Sequence, residues 1–230
     1  MEQAVYLDHN ATTSVRPEAA DAVSAALALT GNPSSVHRHG RMARRLVEDA
    51  RERVAALVGA EVAEVVFTSG GTEANALAVR GAPRGRFLVS STEHVSVLDA
   101  FAGAERVPVD DDGIVDLSAL EEMLAGGGAP ALVSVMLANN ETGVVQPVPP
   151  VAALGRRSGA LTHCDAVQAP GKIAVDWKAL GVHMMSLSAH KIGGPQGVGA
   201  LIAADEVPLA PAVRGGGQER RRRGGTENVP

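Results

Sequence analysis

The sequence predicts an α/β fold, a mostly parallel sheet with helices packed on both faces. Three observations carry this. Short β-branched or apolar runs alternate with helical patterns along the 230 residues, the signature of strand–helix–strand units. The 26 glycines and 13 prolines are spread between the apolar runs rather than pooled, so they mark tight connections and not a disordered tail. The composition is 45% hydrophobic but only 2% aromatic, enough to bury a core that must be built from Ala, Val and Leu.

In chain order, residues 17–29 read as a helix, with Pro at an early position and Ala and Leu throughout. A second helix, charged on one face, runs over 42–58 and is closed by Gly59. Residues 65–67 are a strand, followed by Gly70-Gly71 and a helix over 72–80. A strand at 87–89 and a helix at 94–102 come next, then a strand at 107–109 and a helix at 117–124. Residues 132–137 are a strong strand, 150–157 a helix, and 161–164 and 184–187 two further strands. Residues 198–202 close the series as an antiparallel strand. No internal repeat or low-complexity linker interrupts it.

Net charge is −5, so no overall field favours nucleic acid. The four arginines from Arg220 to Arg223 lack interleaved aromatics and read as a solvated face or a contact for an acidic partner rather than a nucleic-acid site. A single cysteine, Cys164, excludes an internal disulfide and a multi-cysteine metal cage. No apolar run approaches the roughly 20 residues needed to span a bilayer. The first six residues lack the basic region and apolar core of a signal peptide. The expectation is a cytoplasmic protein with no membrane partner.

Ligands of such sheets sit beyond the carboxyl ends of the strands. After the first core strand comes Thr68-Ser69-Gly70-Gly71-Thr72-Glu73, where two glycines permit close backbone approach and a helix begins with free amides. The segment reads as a phosphate cup or, equally, as an ordinary strand-to-helix turn. Ser188-Ala189-His190-Lys191 follows another strand and precedes Gly193-Gly194, a setting suited to a Schiff-base lysine. Lys172, Lys178 and Lys191 are the only lysines, and Lys191 alone sits in such a place. Asp165 in His163-Cys164-Asp165-Ala166-Val167-Gln168 suits either a pyridinium partner or a helix cap, and Gln168 could reach a ring oxygen. Thr92-Glu93-His94 supplies an imidazole able to stack on a ring. Asn139-Asn140-Glu141-Thr142-Gly143 adds amides, or a plain Asn/Gly turn.

Taken together, Tyr6-Leu7-Asp8-His9-Asn10-Ala11-Thr12-Thr13, Gly31-Asn32-Pro33-Ser34-Ser35-Val36-His37, the segments above and Gly215-Gly216-Gly217-Gln218-Glu219-Arg220 resemble the motifs of the NifS/IscS-type cysteine desulfurases. These are class V aminotransferases of the pyridoxal 5′-phosphate (PLP) fold type I. The resemblance runs in order over residues 6–228. It implies a PLP-transferase fold type I large domain over 16–230, preceded by an N-terminal arm over 1–15. It implies that Lys191 holds PLP, Asp165 pairs the ring nitrogen, Gln168 meets the ring oxygen and His94 stacks on the ring. Gly71, Thr72, Ser188 and His190 would bind phosphate, with Asn140 beside the ring. Thr226 would reach the phosphate of a neighbouring subunit's cofactor, which implies a homodimer. The implied reaction converts L-cysteine to L-alanine and passes sulfur, as a persulfide, toward a sulfur-acceptor or scaffold protein for iron–sulfur cluster or thiocofactor synthesis.

The family's sulfur-carrying cysteine and its carboxylate-binding arginine would lie beyond Pro230, so the expectation is a truncated chain without the small domain and inactive alone. Strand alternation turns Cys164 away from Asp165, which makes it a buried, inert thiol. Arg221 and Gly224 depart from the family pattern. Another class V enzyme, such as a selenocysteine lyase or an epimerase-like enzyme, and a non-catalytic PLP-binding remnant are the alternative readings.

Overall fold

The computed structural model describes residues 5–128 and 130–230. The leader reading and the start of the arm fall partly on residues 1–4, outside the described residues.

The chain builds α1 (Pro17–Leu27), α2 (Arg38–Val58), β1 (Val65–Thr68), α3 (Gly71–Gly81), β2 (Arg86–Ser90), α4 (Val95–Leu98), β3 (Glu105–Val107), α5 (Leu117–Ala125), β4 (Ala131–Ser134), α6 (Val148–Arg157), β5 (Leu161–Asp165), α7 (Trp177–Leu180), β6 (Met184–Ser188) and β7 (Gly199–Ala203). Local chemistry sets several of these bounds. Asp116 and Asp176 cap α5 and α7 by accepting two backbone N–H bonds each, which satisfies donors that have no partner within the helix. Gly59 and Gly181 end α2 and α7 in the left-handed conformation, where a side chain would be strained.

Among the described residues the strands form one seven-stranded sheet in the order β1-β7-β6-β5-β4-β2-β3. β2 pairs in parallel with β3 and β4, and β4, β5 and β6 continue in parallel. β7 lies antiparallel between β1 and β6, as the sequence leads one to expect. Its Gly199 is required for packing, because a Cβ there would come within 2.6 Å of the Gly70 carbonyl carbon. Both faces of the sheet are buried. Phe87, Val89 and Leu132 join one core cluster with α3, while Leu88, Val133 and Val135 join another with α5 and α6. This two-sided burial is why the central strands read as unbroken apolar runs. His163 ties three strands: its Nδ1 lies 2.8 Å from Ser134 Oγ and its Nε2 lies 2.9 Å from Ser186 Oγ. Burial lowers its pKa to about 3, so the ring is neutral.

Several elements differ from the sequence expectation: α2 begins at Arg38 rather than 42, β4 stops at Ser134 rather than 137, and α7 is additional. The helix over 94–102 shortens to the single turn of α4. Arg80 Nε takes the Ala100 carbonyl at 3.0 Å, and Phe101 turns edge-on to Phe87 with ring centres 6.0 Å apart. β3 is shifted to Glu105–Val107, and Val109 instead makes an isolated bridge to Val115. Among the described residues no helix is long and apolar enough to cross a membrane.

The C-terminal segment is held by a buried ion pair. Arg51 of α2 donates from Nη1 and Nη2 to Glu219 at 2.8 and 3.1 Å. Glu219 also accepts from the Phe67 N–H at 3.0 Å. Removing one partner leaves a buried charge, which costs about 3–5 kcal/mol. Arg51→Ala is therefore expected to lower stability by that amount in urea unfolding, and Arg51→Met with Glu219→Leu to recover most of it.

Candidate functional site

A cavity of about 530 Å³ opens beyond the carboxyl ends of the parallel strands. The turn into α3 supplies Gly71 and Thr72, and the segment after β2 supplies His94. β4 leads to Asn140, β5 to Asp165 and Gln168, and β6 to Ser188, His190 and Lys191. Nine of the ten residues singled out in the sequence thus line one cavity. Thr226 is the exception: it lies with Arg223 and Glu227 along a separate cavity of about 220 Å³.

Lys191 ends a short 3₁₀ turn directly after β6. Its Nζ donates to the carbonyls of Asn10 and Ala11 at 2.5 and 2.8 Å. Burial and the charge of Lys172 lower its pKa, against the opposing fields of Asp165 and Asp8. Gln168 Nε2 donates to the same Asn10 oxygen at 2.8 Å, so an amine and an amide converge on one acceptor. The N-terminal segment reaches this point because Thr13 N–H bonds to the His190 carbonyl at 2.9 Å and Arg16 N–H to that of Gly193 at 2.8 Å.

Asp165 is buried at the end of the central strand β5. Its Oδ2 accepts from Asn75 Nδ2 at 2.8 Å and its Oδ1 from the Val167 N–H at 3.0 Å. Burial raises its pKa, while these bonds and the fields of His94 and Lys191 act the other way. No helix follows, so Asp165 closes a turn rather than capping a helix. Cys164, the preceding residue, is fully buried in the apolar core, and burial pushes its thiol pKa well up. Strand alternation separates the two as the sequence predicts. His94 caps α4: its Nδ1 accepts from the Ser96 N–H at 3.2 Å. A backbone N–H can only donate, so Nδ1 is the accepting nitrogen and the ring proton is on Nε2.

At the other end of the cavity, Gly71 leaves space that a Cβ would fill, since it would stand 2.8 Å from Val167 Cγ2. Ser188 Oγ is buried beside it and has no hydrogen-bond partner among the described residues. The first amides of α3 open on the same space, as those of any helix start do. His190 Nδ1 lies 3.2 Å from Thr12 Oγ1.

Several residues of the site escape sequence reasoning. Asn75 grips Asp165, and its place four residues after Gly71 puts it on the same helix face, a signal available in the spacing. Glu93 is buried behind the site and accepts from the Met136 N–H at 2.5 Å. Its Oε2 has no partner among the described residues. Burial and then the charge of Asp165 raise its pKa well above the carboxylate range. Nothing in the sequence distinguishes Glu93 from a surface glutamate. Asn10 and Lys172 reach the site through contacts distant in sequence.

Known proteins resemble this chain in sequence and fold. The family model for aminotransferase class-V matches residues 5–229. The chain is 48% identical to a cysteine desulfurase of Cereibacter sphaeroides, over 98% of its own length and 62% of the relative's. It is 42% identical to an IscS-like cysteine desulfurase of Mycobacterium tuberculosis, over 97% of its length and 61% of that protein's. The solved structure of a NifS-like protein from Rickettsia africae superposes with a TM-score of 0.94 at 38% identity, covering 99% of this chain and 65% of that one. The chain therefore spans a little over three fifths of the length of these relatives. These families are PLP-dependent, and the mixed sheet with its helices is that of PLP fold type I. Matched across residues 5–229, the chain belongs to the class V aminotransferase family.

Proposed function

We propose that this chain is the cofactor-holding large domain, over 16–230 with an arm over 1–15, of a PLP-dependent cysteine desulfurase. The protein would act on L-cysteine as a cytoplasmic homodimer and hand sulfur to an acceptor or scaffold protein for iron–sulfur cluster assembly. The carrying observation is the convergence of Lys191 Nζ and Gln168 Nε2 on one oxygen. That donor pair suits an aldehyde with a neighbouring phenolic oxygen. The orphaned Ser188 Oγ and the space at Gly71 suit a phosphate at the start of α3.

PLP, when bound, supplies a ring that takes up negative charge from an attached amino acid. Lys191 is the covalent anchor, its amine made nucleophilic by the lowered pKa. Asp165 holds a proton on the ring nitrogen, and its buried carboxylate gains the cationic partner that burial demands. Gln168 donates to the phenolic oxygen. His94 would stack on the ring and Asn140 would stand beside it, since both line the cavity. Gly71, Thr72, Ser188 and His190 bind the phosphate. Thr226, which lies apart from this cavity, serves the cofactor of a second subunit. Cys164 takes no part, so the thiol that receives sulfur is another one.

Purified protein with PLP is expected to show a near-ultraviolet to visible cofactor band that borohydride fixes to Lys191. Lys191→Ala should abolish it, and persistence of the band would overturn the assignment. Asp165→Ala should weaken cofactor retention roughly 10–100-fold, the value of one hydrogen bond to a charged group. Cys164→Ser should change neither property, and the 230 residues alone should release no alanine from L-cysteine through Cys164.

Glu93 gives a pH signature. Its pKa is higher in the folded chain than in the unfolded one, so the folded state favours the protonated acid. The associated stability is complete below the unfolded pKa and is lost as pH rises through the folded one. Glu93→Gln copies the neutral form. Its melting temperature is expected to fall less than the wild type's between pH 5 and pH 8, and parallel pH profiles would refute this.

A further inference from the structure

Lys172 has no role in the reading above, yet its side chain bonds to two residues of the cavity. Its Nζ donates to Gln168 Oε1 at 2.5 Å and to Asn10 Oδ1 at 2.8 Å. Both partners are amide oxygens, whereas Lys178 pairs with a carboxylate, Glu61, at 3.0 Å. An ammonium has donors only, so each amide must turn its oxygen toward Lys172 and its NH₂ group elsewhere. Gln168 Nε2 consequently donates to the Asn10 carbonyl at 2.8 Å, the oxygen that also meets Lys191. Asn10 Nδ2 donates to the Asn140 carbonyl at 2.9 Å. One cation thus sets the orientation of two amides, and through them the donor direction at the cavity.

We propose that Lys172 is a positioning residue of the cofactor site: it fixes the Gln168 amide with its NH₂ group toward the cofactor's oxygen, and its positive charge opposes that of Lys191. The inference rests on the proposed cofactor reading, but its first consequence is testable without cofactor. Two cations meet different atoms of Asn10, the carbonyl oxygen for Lys191 and Oδ1 for Lys172, so each opposes protonation of the other. The other titratable groups facing Lys191 are Asp165 from β5, Asp8 and Glu141 from the flanking loops, His94 from the segment after β2, and His190 in its own turn. The charge of Lys172 works with burial to lower the Lys191 pKa, and Asp165 and Asp8 work against it. Burial lowers the Lys172 pKa, although the residue is largely exposed. Replacing it opens no core cavity.

The three lysines of the chain make the test direct. Cofactor-free protein carrying ¹³C-enriched lysine is titrated by NMR as wild type, Lys172→Met, Lys172→Arg and Lys178→Met. The Lys191 resonance is expected to titrate at higher pH in Lys172→Met and to stay at the wild-type position in Lys172→Arg. An unmoved Lys191 titration in Lys172→Met overturns the proposal, as does an equal movement in Lys178→Met, which would reflect net charge alone. In the loaded protein, PLP retention should weaken about tenfold in Lys172→Met, the value of one charge-assisted hydrogen bond, and recover in Lys172→Arg. Wild-type protein that takes up no PLP would defeat the proposed function, while the Lys191 titration would still decide the role of Lys172.

Discussion

The site depends on one buried carboxylate. Asp165 stands where the central strand β5 runs out, and α3 reaches across to it through Asn75. That bond joins the helix whose first turn opens on the cavity to the middle of the sheet. A carboxylate so placed is expensive unless its surroundings compensate for burial. The Val167 N–H, the Asn75 amide and the fields of His94 and Lys191 offset part of that cost, and burial still leaves the Asp165 pKa raised. Glu93 shows the opposite solution within the same neighbourhood. It has one backbone donor and an orphaned oxygen, and it faces the charge of Asp165. Burial raises the pKa of both acids, but Glu93 lacks the compensating donors of Asp165, so environment alone sets the two apart.

Much of this was legible in the sequence, for identifiable reasons. Strands buried on both faces are short apolar runs, and each site residue follows one of them, so strand ends and chemistry could be read together. The separation of Cys164 from Asp165 followed from the two-residue period of a strand. The 94–102 helix misled because its residues have helical character, while a side chain from α3, Arg80, takes the Ala100 carbonyl. Lys172 and Glu93 were opaque for a different reason. Gln168 lies only four residues before Lys172, but the Asn10 contact of Lys172 and the Met136 contact of Glu93 join residues distant in sequence, and no local pattern encodes those.

Beneath the site the sheet is held by polar as well as apolar contacts. His163 bridges hydroxyls on both neighbouring strands and stays neutral, so it contributes hydrogen bonds without a buried charge. The Arg51–Glu219 pair performs a related task at the sheet's edge, where Glu219 also takes the Phe67 N–H. Such pairs add little net stability over apolar replacements but penalise any arrangement that separates them. Here they specify where the segment beyond β7 must lie.

The place of β7 has a consequence for the order of assembly. Among the described residues β1 has a single neighbour in the sheet, the last strand, with Val65 opposite Ile202 and Thr68 opposite Gly199. A ribosome releases β1 and the turn into α3 early, long before their partner exists. Until β7 emerges, the first strand keeps an unpaired edge of the kind that recruits stray chains, and contacts so distant in sequence form slowly. The Gly71 end of the cavity begins with some of the earliest core residues, yet it gains its lasting shape only when Ser188, His190 and β7 have joined them.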